Sequence, residues 1–188
     1  CLPDKSAIET VEIADQLGNE SPIIIDASTA HRTNIDWAYG LPELGQNYKN
    51  KILESKRIAV PGCYPTSVLL PLIPLLKYDL ILSNNIIIDS KSGYSGAGKN
   101  FKRKFKHKNL YKSTFAYSPN SHRHMSEIDQ EFMKYSKQKI NYSFNPHLLP
   151  TFRGILSSIY LKVNKKSSAK IIRNELLKFY KNSKFIKI

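Results

Sequence analysis

Apolar residues recur along this chain with two periods, and they predict a helix, two strands, and then a mixed second half. Between Lys5 and Leu17, Ala7, Ile8, Val11, Ala14 and Leu17 keep helical spacing, and Gly18-Asn19 ends the run. Pro22 to Ala27 is a short continuous apolar run that reads as a buried parallel strand, and Arg57-Ile58-Ala59-Val60 reads as another. Ser67 to Leu76 predicts a helix, and Ile86 to Asp89 a strand that runs into a glycine-rich loop, Gly93 to Gly98. Ser126 to Tyr135 predicts a helix capped by Ser126 with Asp129 three residues on. Lys139 to Phe144 and Gly154 to Val163 alternate as strands do. Ser167 or Ser168 opens a last helix whose stripe of Ile171, Ile172, Leu176, Leu177 and Phe179 is core-like. Helix, strand and strand in that order predict an α/β fold, the tail of a doubly wound parallel sheet. Functional residues of such sheets gather beyond the carboxyl ends of the strands, where the Asp26–Arg32 and Pro61–Cys63 segments fall.

The corner Pro61-Gly62-Cys63-Tyr64-Pro65-Thr66-Ser67 joins a strand to a helix. Pro-Gly turns the chain, and Pro65 suits a first helical turn, where its missing N–H is harmless and its φ is already helical. Cys63 therefore stands at or just before a helix N-terminus. Free amide N–H groups and the helix dipole favour an anion there, and a thiol in that field falls below its free pKa of about 8.5. A nucleophilic cysteine and a small buried corner residue both fit these local features.

The chain has 188 residues, enough for one substantial core or two small ones. Two cysteines, Cys1 and Cys63, are too few for a disulfide framework and fit a reducing, cytoplasmic location. No apolar run reaches the roughly 18 residues of a membrane span, and Val68 to Leu76 is short and broken by Pro71 and Pro74. The net charge is +14 with a pI near 9.7, which raises a nucleic-acid partner. The densest patch, Lys99 to Lys108, interleaves basic residues with Phe101 and Phe105, as a surface that stacks bases would. The basic residues are mostly lysines spread over the whole chain, so a compositional bias with a solvated surface accounts for them better. No nucleic acid or membrane partner and no metal is expected.

Four ordered blocks join the Cys63 corner: Ile25-Asp26-Ala27-Ser28-Thr29-Ala30-His31-Arg32 with Tyr39-Gly40-Leu41-Pro42-Glu43-Leu44; Asp89 to Lys99; His122-Arg123-His124-Met125-Ser126-Glu127-Ile128; and Pro146 to Ile155. Together they resemble the N-acetyl-gamma-glutamyl-phosphate reductase family, in its short variant, from Cys1 to roughly Arg173. Val60 stands where many of that family carry Asn and others Val. The resemblance implies the end of a Rossmann-type dinucleotide-binding domain over 1–62. After it would come an incomplete α+β catalytic and oligomerisation domain, 63–188, of the glyceraldehyde-3-phosphate/semialdehyde dehydrogenase type. No G-x-G-x-x-G is present, so the chain is expected to be the central part of such an enzyme and inactive alone.

The same resemblance implies NADPH-dependent reduction of an acyl phosphate to an aldehyde, with phosphate released and Cys63 carrying a thioester. His122 and His124 are the proton carriers, with His124 ahead of His122. In an extended segment both would point one way and Arg123 the other. Only six arginines stand among the lysines, and Arg32, Arg123 and Arg153 fall inside the blocks, where a bidentate fork suits phosphate and carboxylate. Arg32 is assigned to the leaving phosphate, and Arg123 and Arg153 to the substrate carboxylate. A plain salt bridge is the alternative for each. Glu127 orients a histidine or Arg123, or simply supplies a negative charge to a helix start. His31 and His147 are weaker candidates, His147 being structural. Ser95, Gly96, Ala97 and Gly98 form the loop nearest the NADP nicotinamide. A homodimer or tetramer follows by analogy. An aspartate-semialdehyde dehydrogenase-like enzyme is the nearest alternative, and a basic nucleic-acid-binding module is the alternative of a different class.

Overall fold

The structure, a computed structural model, describes residues 2–97, 112–136 and 139–188. Gly98 and the basic stretch Lys99 to Lys108 lie outside these residues. The chain divides into two compact units, Cys1–Gly62 with Ser183–Phe185, and Cys63–Asn182 with Ile186–Ile188.

The first unit is α/β, with helices α1 (Asp4–Asp15) and α2 (Gln46–Glu54) and strands β1 (Ile24–Asp26), β2 (Ala38–Tyr39) and β3 (Arg57–Ala59). All its strand pairs are parallel, in the order β1, β3, β2, with Ile25 opposite Ile58 and Tyr39 opposite Ala59. Strand β1 is shorter than its apolar run, and Ile25 is 66% exposed rather than buried. The pleat sends Ile25 to the side opposite its neighbours, so only one face of the strand is packed. Beyond β1 the chain is held by an Asx turn, in which Ser28 N–H and hydroxyl both donate to the Asp26 carboxylate, at 2.8 and 2.6 Å. Gly40 passes so close to β3 that a Cβ would meet the Ala59 carbonyl oxygen at 3.0 Å.

The second unit is a mixed sheet with helices against one face. Its elements are α3 (Cys63–Lys77), β4 (Ile86–Gly93), β5 (Phe115–Ala116), α4 (Met125–Met133), β6 (Tyr142–Leu149), β7 (Ile155–Tyr160) and α5 (Ala169–Phe179). The strand order is β5, β6, β4, β7. Strand β4 runs parallel to β6, with Ile88 opposite Phe144, and antiparallel to β7, with Ser90 opposite Ser157. Alternate residues Ile86, Ile88, Ser90 and Ser92 are buried. A hydroxyl chain from Ser67 through Ser157 to Ser90, with links of 2.8 and 2.7 Å, identifies that face as the one against α3. The opposite face carries Ile87, Asp89 and Lys91, and across from them the exposed Tyr160 and Leu156.

Helix α3 is apolar almost all round, burying Tyr64, Val68, Leu69, Leu72, Ile73, Leu75 and Leu76. It packs against α4, α5 and β7. The helix expected from Ser67 to Leu76 forms and continues through both Pro71 and Pro74. Proline at 74 removes the N–H that would have bonded the Leu70 carbonyl. The Tyr180 hydroxyl donates to that carbonyl instead, at 2.6 Å. Tyr180→Phe would leave a part-buried carbonyl without that donor, so it is expected to cost about 1–2 kcal/mol. A change in the unfolding free energy from urea titration below about 0.3 kcal/mol would contradict this account.

Other expectations are shifted. Strand β4 continues past Asp89 because Ser90 and Ser92 keep the buried alternation with small hydroxyl side chains. Strand β6 begins at Tyr142 and not at Lys139. Ser126 does not cap α4. The capping position is His124, and Ser126 lies inside the first turn, donating its hydroxyl back to the Arg123 carbonyl at 3.0 Å. Ser168 does cap α5, accepting from the Ile171 N–H at 3.3 Å. The α5 stripe is only half-buried, with Ile171 and Leu177 both exposed. Tyr180, just past the helix, is the buried anchor. Among the described residues no helix is long and apolar enough to cross a membrane.

Candidate active site

Cys63 is the first residue of α3 and is exposed, with its thiol in no disulfide. Pro65 occupies the first turn, where backbone N–H groups have no helical acceptor to lose. The remaining N–H groups and the helix dipole face the thiol end, which favours a thiolate there.

The histidine pair reaches this corner by a clamp on β6. Asn120, with φ of +49°, donates its backbone N–H to the Phe144 carbonyl at 2.9 Å and accepts the Phe144 N–H on its side-chain oxygen at 2.8 Å. Asparagine tolerates that left-handed conformation. The chain then turns through His122 to the start of α4. The segment is not extended, as the alternation argument supposed, since His124 is helical at φ −74° and ψ −9°. The two rings still meet, with centroids 4.6 Å apart, because the His124 N–H donates to His122 Nδ1 at 3.1 Å. That bond places the proton of a neutral His122 on Nε2.

Tyr64 sits beneath both imidazoles. It is 1% exposed and meets His122, His124 and Phe144 edge-on, with centroids 5.5, 6.0 and 5.4 Å away. Its hydroxyl donates to the His147 carbonyl at 3.1 Å and accepts from the Tyr117 hydroxyl at 3.1 Å. Burial pushes the Tyr64 phenol up, and the neighbouring Tyr117 and the charge of Cys63 push it the same way. Burial also raises Tyr117, helped by Cys63 and opposed by the Tyr64 hydrogen bond and by Arg123. Both tyrosines are therefore held as neutral phenols beside the Cys63 sulfur.

These groups line a cavity of about 40 Å³, with Cys63, Tyr64, Tyr117, His122, Arg123 and His124 joined by Ser92 from the end of β4 and Gly96 and Ala97 from the short helical turn that follows it. Gly96 is close enough to Ser92 that a Cβ would meet its hydroxyl oxygen at 2.9 Å. The other sequence candidates lie elsewhere. Ser95 is just outside, its N–H donating to the Phe152 carbonyl at 3.0 Å. Arg153 is exposed and stacks on the Phe152 ring, 5.1 Å from its centroid. Glu127 is buried on α4, one turn after His124, and does not line the cavity. His147 turns its ring to the outer face of the sheet, Nδ1 lying 3.2 Å from the Asp89 carboxylate. Arg32 belongs to the first unit, where it is buried and donates to the Ala27 carbonyl at 2.9 Å, and His31 stacks flat on Trp37 at 4.1 Å. Tyr64, Ser92 and Tyr117 were not singled out from sequence. The polar Ser90 and Ser92 in the buried register of β4 were a readable signal, whereas Tyr117 had none. Among the described residues no group of histidine, cysteine and carboxylates has metal-site spacing.

Residues 63–188 match the family model described as semialdehyde dehydrogenase, dimerisation domain. The chain is similar to N-acetyl-gamma-glutamyl-phosphate reductase of Ehrlichia ruminantium, 40% identical over 205 residues that cover 99% of this chain and 57% of that protein. It is also similar to the enzyme of that name from Thermoanaerobacter pseudethanolicus, 43% identical over 82% of this chain and 44% of that protein. The chain spans about half the length of these curated relatives. Among solved structures it resembles aspartate semialdehyde dehydrogenase II from Vibrio cholerae, with a TM-score of 0.73 and 15% identity over 95% of this chain and 58% of that one. It also resembles the aspartate semialdehyde dehydrogenase from Candida albicans solved with NADP, with a TM-score of 0.57 and 13% identity over 86% and 52%. The likeness to these structures is one of fold.

Proposed function

The chain belongs to the semialdehyde dehydrogenase family, and from that premise we propose that the protein it forms part of reduces N-acetyl-gamma-glutamyl phosphate to N-acetylglutamate 5-semialdehyde, in arginine biosynthesis. The observation that carries the reading is one cavity in which a helix-start cysteine meets two histidines and an arginine.

Cys63 Sγ attacks the acyl carbon, the bond to the phosphate oxygen breaks, and a thioester forms on the sulfur. Hydride on that carbon gives a thiohemiacetal, which collapses to the aldehyde and regenerates the thiolate. NADPH supplies the hydride when bound. Gly96 and Ala97, small residues at the cavity edge beside Cys63, suit a flat nicotinamide ring, with Ser95 and Gly98 flanking them in the chain. His122 has its Nδ1 occupied as an acceptor and offers only a donor, so His124 is the group that takes and returns protons. Arg123 holds the substrate carboxylate or phosphate from the cavity wall. We keep Arg153 on the substrate carboxylate, Arg32 on the leaving phosphate and Glu127 as a support for the histidines, on the family resemblance. The outer sheet face, with Ile87, Leu156 and Tyr160 exposed, suits association with a second copy through the domain the family names for dimerisation. We assign the enzyme to the cytoplasm.

The test is turnover by the full-length protein, followed as phosphate-dependent NADP reduction. N-acetylglutamate semialdehyde is expected to be the substrate. Turnover with aspartate semialdehyde alone would keep the chemistry and move the substrate, and turnover with neither would refute the reading. His124→Asn is expected to lower kcat about 10²–10⁴-fold, and His122→Asn about tenfold. Equal losses in the two variants would overturn the division of roles.

A further inference from the structure

We infer that Asn120 is a positioning residue for the histidine pair, tying it to the strand from which the Cys63 corner also hangs. Strand β5 pairs with β6 at Phe115–Leu148 and Ala116–His147, and the Tyr117 N–H extends the ladder to the Pro146 carbonyl at 3.0 Å. Continued in register, the ladder would set residue 119 opposite Phe144, whose N–H and carbonyl both face this edge. Residue 119 is proline and has no N–H to give. One extra residue, as in a β-bulge, brings Asn120 there instead. Its N–H donates to the Phe144 carbonyl at 2.9 Å, and its side-chain oxygen accepts the Phe144 N–H at 2.8 Å. Asn120 thus answers both backbone groups of one β6 residue. It does so in a left-handed conformation, φ +49°, that follows another at Ser118, φ +47°.

The residue so clamped is the one whose ring packs on His122. Phe144 is fully buried and meets His122 and Tyr64 edge-on, with centroids 5.7 and 5.4 Å away. The Tyr64 hydroxyl donates to the His147 carbonyl at 3.1 Å, so the residue after Cys63 is bound to the same strand three positions further along. Nucleophile and histidines are therefore both set from β6, at points about 10 Å apart along it. Asn120 itself is exposed and does not line the cavity, so it touches no substrate. It acts on the reaction by fixing where the chain enters α4, and so where His124 stands over Tyr64. A displacement of about 1 Å at a reacting group costs up to about 10²-fold in rate, which sets the scale of the effect. The catalytic half of the inference rests on the proposed function, whereas the placement of the histidines does not.

The experiment uses the full-length enzyme with three variants at this position. Asn120→Ala strains the backbone and removes the acceptor, and is expected to lower kcat about 10–100-fold with KM within about threefold. Asn120→Gly keeps the left-handed backbone and loses only the acceptor, so it serves if the alanine variant fails to fold, and is expected to lower kcat about tenfold. Asn120→Asp keeps both features and is expected to stay within about threefold of wild type. In a His124→Asn background, Asn120→Gly is expected to add less than about twofold, because the group it places is gone. A glycine variant equal to wild type, an aspartate variant as slow as glycine, or a glycine loss of full size without His124 overturns the inference. Histidine nitrogen NMR spectra of the full-length protein test the placement without turnover. Wild type and Asn120→Asp are expected to show neutral His122 as one tautomer, with its proton on Nε2, and Asn120→Gly a mixture of the two. A single tautomer in all three overturns the inference. Wild-type turnover with neither N-acetylglutamate semialdehyde nor aspartate semialdehyde refutes the functional reading, and the spectra then decide the placement alone.

Discussion

Replacing Cys63 with serine is expected to lower kcat of the full-length enzyme by at least about 10³-fold while leaving its melting temperature unchanged. Cys63 is exposed and begins a helix whose packing is carried by residues from Tyr64 onward, so the substitution removes one sulfur and little else. A serine hydroxyl in the same place is a far weaker nucleophile, because it stays protonated near neutral pH where a thiol at a helix start does not. Phosphate-dependent NADP reduction gives the rate, and circular dichroism the melting curve. Activity within tenfold of wild type would remove Cys63 from the mechanism, whereas a collapsed melting curve would make it a structural corner.

Gly93→Ala is expected to destabilise the second unit by about 3 kcal/mol, the upper end of ordinary overpacking, and so to lower Tm by about 6–12 °C. A Cβ at this position would lie 2.7 Å from the Arg153 nitrogen and 2.8 Å from both the carbonyl carbon and oxygen of Phe152. All three are backbone atoms, and no rotamer change relieves them. The segment is also laced in place, with Gly93, Tyr94 and Ser95 donating to Gly154, Thr151 and Phe152 at 2.9, 2.9 and 3.0 Å. Moving it displaces Gly96 and Ala97 at the cavity edge, so KM for the nicotinamide cofactor is expected to rise with the loss of stability. Thermal unfolding and cofactor titration of the full-length variant check both, and a Tm within about 2 °C of wild type would show that the junction yields.

Local signals carried much of the fold. The helix over Asp4–Asp15, the parallel strands before the Asp26 and Pro61 corners, the Cys63 helix and its Pro65 start, and the Ser168 cap all depend on residues within one or two turns of each other. Other features depend on distant groups. The helix expected from Ser67 to Leu76 runs through Pro71 and Pro74, and Tyr180, more than a hundred residues away, replaces one of the lost donors. Ser126 has the right residue type for a cap, yet Asn120 clamped to Phe144 fixes where the chain enters the helix. For the site, the motif blocks carried Cys63, Arg123 and both histidines, which line one cavity. They could not carry Tyr117, an ordinary residue just past the two-residue edge strand β5 until the pairing with β6 brings its hydroxyl to that of Tyr64.

The pairing of β4 has a cost during synthesis. Its parallel neighbour β6 begins more than fifty residues later, and β7 later still. At about 5–20 residues per second, a ribosome leaves Ile86 and Ile88 without either neighbour for roughly 3–10 s. Through that interval the growing chain presents an unsatisfied strand edge and the apolar side of α3 together. A chaperone that shields extended apolar segments would act here, between translation of Gly93 and Leu149, and the yield of folded enzyme should depend more on that window than on final stability.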